Sequence, residues 1–214
     1  MTKKLFWQDP YLATIDTVVE SVSGNAITLR ETIFYAFSGG QESDTGTIGG
    51  YPVIEARKSG LDIQYALPEG HELKAGDGVR VEIDWDRRYR LMRLHFAAEL
   101  ILELVYRELG NVEKIGAHIA PDKARIDFYW QENISSLFPK LISQAQLLVD
   151  QDMEIISAYS DESSQRRYWE VQGFARVPCG GTHLKRTGEV GNIVLKRKNT
   201  GKGKERIEIY AVEK

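Results

Sequence analysis

Over the first eighty-odd residues apolar and polar positions alternate in short runs, and after that the apolar spacing becomes helical. Residues 15–22 mix apolar and polar β-formers, and Ser23-Gly24-Asn25 behind them is a hairpin signal. Residues 26–30 alternate as a returning strand does, and residues 34–37 lead into a glycine-rich stretch that ends at Gly49-Gly50. Residues 51–56, 61–65 and 79–83 are further short strands, whose spacing predicts a small barrel or a strongly curved sheet. From Arg87 to Leu109 the apolar residues fall at Leu91, Leu94, Ala98, Ile101, Leu102, Val105 and Leu109. This spacing predicts a helix of about six turns with Gly110-Asn111 as its stop. Residues 124–130 read as a strand and 136–149 as a second helix, with Pro139 limiting where it begins. Residues 153–158, 168–171, 190–195 and 206–212 are strand candidates. The expected architecture is α+β, with a β-rich domain over 1–86, possessing the glycine-rich motif, and an α+β domain over 87–214.

Composition narrows the class. Of the 214 residues 42% are hydrophobic and 28% charged, as in ordinary globular proteins. The net charge of −3 excludes a basic nucleic-acid coat but leaves room for a local basic face. The single cysteine, Cys179, excludes an internal disulfide framework and a four-thiolate zinc site. No stretch approaches the roughly 20 apolar residues that cross a bilayer. The first ten residues turn polar before a secretory core develops, so Asn133-Ile134-Ser135 is expected to carry no sugar. A cytoplasmic, reduced protein without membrane association is the expectation.

Four side chains form the strongest chemical constellation. His95 and Glu99 are four apart on the long helix, hence one above the other on one face, offset from the Leu94–Ala98–Ile101–Val105 stripe. Cys179-Gly180-Gly181-Thr182-His183 is a C-x3-H unit whose paired glycines permit a tight turn that can aim a sulfur and an imidazole at one point. Nitrogen, sulfur and oxygen donors together suit a tetrahedral zinc ion. The plain alternative is a small buried cysteine and a solvated glutamate. A second feature, residues 38–50, has Gly39 and Gly40, which let backbone N–H groups approach a bound group, and Gln41, which can hydrogen-bond it. It matches neither a P-loop nor a dinucleotide fingerprint, and a long turn between strands is the plain alternative. A third is the run from Lys185 to Arg206, with eight Lys/Arg against Glu189 and Glu205. Residues 198–204 within it are expected to be a mobile loop. Such a basic loop fits a polyanionic substrate, or is simply a solvated hairpin tip.

The run from Asp84-Trp85-Asp86 through Arg87-Arg88 to Leu94-His95, followed by Cys179-Gly180-Gly181-Thr182-His183 and Thr187-Gly188-Glu189, resembles the free-standing, AlaX-type alanyl-tRNA editing proteins. These are relatives of the editing domain of alanyl-tRNA synthetase. The stretch after Phe34-Tyr35 is similar to that family's phenylalanine-tyrosine, triple-glycine, glutamine motif, and the resemblance spans about residues 15 to 212. It implies a small N-terminal β-barrel followed by the α+β domain shared by alanyl- and threonyl-tRNA synthetases. It also implies hydrolysis of serine or glycine wrongly esterified to alanine tRNA, with one zinc ion per chain. By carry-over His95, Cys179 and His183 stand on zinc-ligand positions, and Gln41 on the motif glutamine near the substrate.

Two departures matter. The family's helix motif, His-Thr-Ala-x-His, here reads His95-Phe96-Ala97-Ala98-Glu99, and the glycine motif has Ser38 and Glu42 where glycine and proline are common. Glu99 is then a fourth ligand, a general base beside a three-donor metal, or part of a metal-free site. The catalytic candidates are Glu99, Thr182 and Gln41, with Thr182 and Gln41 as polar readers of the amino acid. Gly39, Gly40, Gln41, Lys185, Arg186, Lys198 and Lys202 are the candidates for holding the substrate, whose acceptor-end phosphates the basic segment would bind. Two other readings remain: a degenerate member that binds tRNA without hydrolysis, and a zinc hydrolase of a small ester or amide.

Overall fold

The alternating segments near the N-terminus pair into a curled sheet. In the computed structural model, which describes residues 1–110 and 112–213, the strands before the first helix are β1 (Lys3–Lys4), β2 (Thr14–Ser23), β3 (Ala26–Leu29), β4 (Glu31–Thr32), β5 (Gly46–Ile48), β6 (Tyr51–Pro52), β7 (Glu55–Ser59), β8 (Asp62–Ala66) and β9 (Gly78–Ile83). Seven of them make one sheet in the order β6-β5-β9-β2-β3-β8-β7. Gly24 turns β2 into β3 at a φ of 61°, a conformation that glycine takes without strain. The edge strands β6 and β7 are joined only by Val53 and Ile54. Such a link spans no more than about 11 Å, so the sheet must bend until its two edges come near each other. For the same reason residues 51–56 are not the single strand their pattern predicts: Pro52 offers no N–H to continue a ladder, and the chain crosses there from one edge to the other. Phe34, Ile48, Tyr65, Leu67 and Val81 are among the side chains buried in this curl.

The chain divides into two units, Met1–Ser38 with Glu42–Tyr89, and Gly39–Gln41 with Arg90–Lys214. The helix α1 (Trp85–Leu109) starts two residues before the apolar period does, because Asp84 caps it: its Oδ1 accepts from the Arg87 N–H at 3.0 Å. Residues 91–98 are all buried, Arg93 and His95 included, so this part of α1 buries its whole circumference and not only the one stripe expected. Gly110, at a φ of 67°, ends the helix. Asn111, the other half of the expected stop, lies outside the described residues.

In the second unit follow β10 (Lys114–Ile119), β11 (Ala124–Tyr129), α2 (Phe138–Asp150), β12 (Ile156–Asp161), β13 (Arg166–Val171), β14 (Ala175–Pro178), β15 (Asn192–Gly201) and β16 (Lys204–Val212). They form two antiparallel sheets, β10-β11-β16-β15 and β12-β13-β14. Pro139 sits in the first turn of α2, and the Asn133 side chain caps the 3-10 turn before it by accepting from Ser135 N–H at 3.0 Å. Residues 153–155 do not begin β12 as expected; Met153 N–H donates to Thr187 Oγ1 and Ile155 N–H to Lys185 O, both at 2.8–2.9 Å. The expectation of a mobile loop over 198–204 is also corrected. The ladder runs on to Asn199 and Glu205, and only Lys202-Gly203 turn. Glu205, 2% exposed, holds the hairpin by accepting from Arg197 at 2.5 and 2.6 Å and from Asn199 at 2.9 Å. No helix among the described residues is long and apolar enough to cross a membrane.

Candidate metal centre

One turn of α1 separates His95 from Glu99, and His95 Nε2 lies 3.3 Å from Glu99 Oε1. The second half of the cluster leaves β14 after Pro178. Cys179 N–H donates to Arg167 O at 2.9 Å, which fixes where the turn begins and brings Cys179 Sγ to 3.5 Å from His95 Nε2. Four residues on, the His183 ring stacks against that of His95, with centroids 4.9 Å apart. One ligand atom each from His95, Glu99, Cys179 and His183 lies within 4.8 Å of all the others. The turn can lie this close to the helix only because of Gly181: a Cβ there would stand 2.1 Å from His95 Cε1 and 2.7 Å from Gln41 Oε1.

Gln41 reaches the same place from far away in the sequence. Gly40 takes a φ of 88° and lies so close to β10 that a Cβ would meet Ala117 O at 2.5 Å. Ile119 N–H donates to Gly40 O at 2.8 Å, and Gln41 bridges to Ile119. The Gln41 side chain, 1% exposed, then grips Thr182 twice: its Nε2 donates to Thr182 Oγ1 at 2.8 Å and its Oε1 accepts from Thr182 N–H at 3.2 Å. Its amide is thus used within the chain. Gly39, at a φ of 61°, precedes this contact.

The remaining imidazole nitrogens are oriented by neighbours. His95 Nδ1 faces Thr182 O at 3.3 Å, and His183 Nδ1 faces Ser157 Oγ at 3.3 Å. His183 Nε2 is buried with no hydrogen-bond partner. An orphaned buried nitrogen is costly unless it has a ligand, and this one sits in a set of two imidazoles, one sulfur and one carboxylate. That donor set fits zinc or a similar divalent ion. The electrostatics agree with a cation site. For His95 burial acts downward, yet the Cys179 sulfur and the Glu99 carboxylate outweigh it and raise its pKa to about 10. For Glu99 burial acts upward and the His95 contact outweighs it, bringing the carboxyl to about 2. Burial and the nearby charge of His95 lower His183 to about 3, so it is a neutral donor.

Two residues here carry no local signal in the sequence. Ser157 pairs with Trp169 and Tyr159 with Arg167 across β12 and β13, so these four side chains share one sheet face. Trp169 packs edge-on against Phe96 at 5.2 Å. Arg167, 6% exposed, lies 4.5 Å over the Tyr159 ring.

The basic candidates separate. Lys185 and Arg186 follow His183 after the buried Leu184 and are exposed, with Arg186 Nε donating to Asp152 Oδ2 at 2.6 Å. Lys198 stands opposite Arg206, itself opposite Asp127, and Lys202 lies beyond the Lys204–Tyr129 pair. Counted from Ala124, the partner of the Ile119 that carries Gln41, Lys198 is about 10 Å along the strands and Lys202 more than about 17 Å. The fold therefore gathers His95, Glu99, Cys179, His183, Thr182 and Gln41, and sets Lys198 and Lys202 along the sheet from them.

Known proteins resemble this chain over its whole length. Residues 170–208 match the family described as the threonyl and alanyl tRNA synthetase second additional domain. The alanyl-tRNA editing protein AlaX-M of Pyrococcus horikoshii is 38% identical over 215 aligned positions, covering 98% of each chain. The protein of that name from Methanosarcina mazei is 33% identical over 97% of this chain and 95% of its own. The alanine–tRNA ligase of Ignicoccus hospitalis is 32% identical over 98% of this chain, which corresponds to 26% of the ligase.

Proposed function

The chain belongs to the alanyl-tRNA editing protein family, and we propose that it hydrolyses the ester linking serine or glycine to alanine tRNA, using a single zinc ion held by His95, Cys179 and His183 with Glu99 as fourth donor. The observation that carries this reading is the buried, partnerless His183 Nε2 among three other donor atoms within 4.8 Å. Bound there, zinc would supply Lewis acidity toward the ester carbonyl or an attacking water. The chain's own residues do the rest. Thr182 O and Ser157 Oγ each face the Nδ1 of one imidazole and so turn its Nε2 inward. Two anionic donors, Glu99 and Cys179, leave the site neutral with a dication, a softer electrophile than a site with three imidazoles. Gln41 donates to Thr182 Oγ1, which leaves the Thr182 proton to be donated onward. A serine hydroxyl can accept it and an alanine methyl cannot, an asymmetry that separates serine, though not glycine, from alanine. Lys185 and Arg186, exposed and three and four positions after Thr182, would meet the acceptor-end phosphates. The unpaired Cys179 suits a reducing, cytoplasmic setting.

The test is release of serine and of glycine from charged alanine tRNA by the purified protein, beside Cys179→Ala. A rate equal to that of buffer overturns the reading. Glu99 itself favours one rival, a member that binds tRNA without hydrolysing it; less than about a tenth of an equivalent of zinc after gentle purification would support that rival.

A further inference from the structure

The basic run expected to form a loop instead builds one face of a sheet. Residues directly opposite in an antiparallel ladder share a face, so Lys198, Arg206 and Asp127 lie on one side of β15, β16 and β11, with Lys196, Glu208 and Arg125 beside them and Lys204 and Tyr129 at the end. The other side of the same strands carries the buried Ile126, Phe128, Leu195, Ile207 and Ile209. The polar face holds two carboxylates, and both are occupied. Asp127 pairs with Arg125 and accepts from Arg206 at 2.6 and 3.0 Å; Glu208 pairs with Lys123 at 2.8 Å. Lys196 and Lys204 instead lie over aromatic rings, 4.8 Å from Tyr210 and 5.3 Å from Tyr129, the latter 45% exposed. On a chain of net charge −3 this is a concentrated positive surface backed by tyrosines.

We propose that this sheet face binds the phosphate backbone of the tRNA body. The inference rests on the editing reading for the identity of the RNA, and charge complementarity selects the occupant: lysines and arginines on a water-facing ladder neutralise phosphates without reading bases. It also relocates a role. Lys198 and Lys202 were expected to hold the acceptor end, yet Lys198 stands about 10 Å, and Lys202 more than about 17 Å, along the strands from the ladder pair beside Gln41. They therefore engage paired stem beyond the scissile ester.

Binding of uncharged alanine tRNA, followed by fluorescence anisotropy across a salt series, tests this without hydrolysis. Lys196→Glu/Lys198→Glu/Lys204→Glu should weaken binding at least about tenfold and make the dependence of log Kd on log salt shallower by about 2, with zinc content and thermal midpoint kept. Arginine at the same three positions should restore both values. Unchanged affinity and slope overturn the proposal, as does weakened binding with an unchanged slope or with loss of zinc. Intact tRNA binding without ester hydrolysis would defeat the editing reading and leave this surface standing.

Discussion

At Gly181 a single methyl group would collide with the donor cluster. A Cβ there would overlap His95 Cε1 at 2.1 Å and Gln41 Oε1 at 2.7 Å, so the imidazole that offers a donor atom and the amide beside it would have to move. Gly181→Ala should therefore lose at least about nine-tenths of its zinc by metal analysis while still folding, because the strain is local. The donors can be tested in opposite directions. Glu99→His keeps a donor at the same i, i+4 position and should retain or strengthen metal binding, whereas Cys179→Ala removes the only sulfur and should abolish it. Zinc retained in Cys179→Ala would count against the assigned centre. The sequence displays the donor types and their spacing, since i, i+4 and C-x3-H are local patterns. Ser157 and Arg167 are illegible there, because what makes them neighbours of the centre is a register between two strands.

Among the elements, α1 carries a buried ion pair in its first turn. Arg88 and Asp44 are both fully buried; Arg88 also donates to Pro10 O at 2.9 Å and Ile33 O at 2.6 Å, and Asp44 accepts from Tyr35 N–H at 2.6 Å. Arg88→Met leaves a buried carboxylate without its cation and should cost about 3–5 kcal/mol in urea denaturation. The period of 3.6 made the helix legible, but not the burial of its whole circumference, since periodicity reports one stripe. β10 was missed because Gly116 and a register shift interrupt its alternation, and β14 because it is four residues ending in proline. The curled sheet offers a pH test. Tyr65 is buried, its hydroxyl 2.7 Å from Thr32 Oγ1, and burial pushes its pKa above the usual tyrosine range. The folded state keeps this proton longer than the unfolded chain. Its contribution is thus fully present below about pH 10 and lost as pH rises beyond it. The thermal midpoint should fall between about pH 9.5 and 11.5, and fall less in Tyr65→Phe.

At the scale of the whole molecule, charge is segregated rather than abundant. A net −3 hid the positive sheet face because acids elsewhere offset it in the sum. The lysines and glycines of residues 198–204 read as a loop because the group that orders them, buried Glu205, acts through side-chain contacts that no local pattern records. One further consequence concerns how the protein is made. Gln41 and Thr182 are 141 positions apart yet share two hydrogen bonds, so this contact closes late, once a long intervening stretch has left the ribosome and its entropy of ordering has been met. A nascent chain halted before Thr182 contains the glycine motif and the long helix but neither the residue that Gln41 grips nor His183.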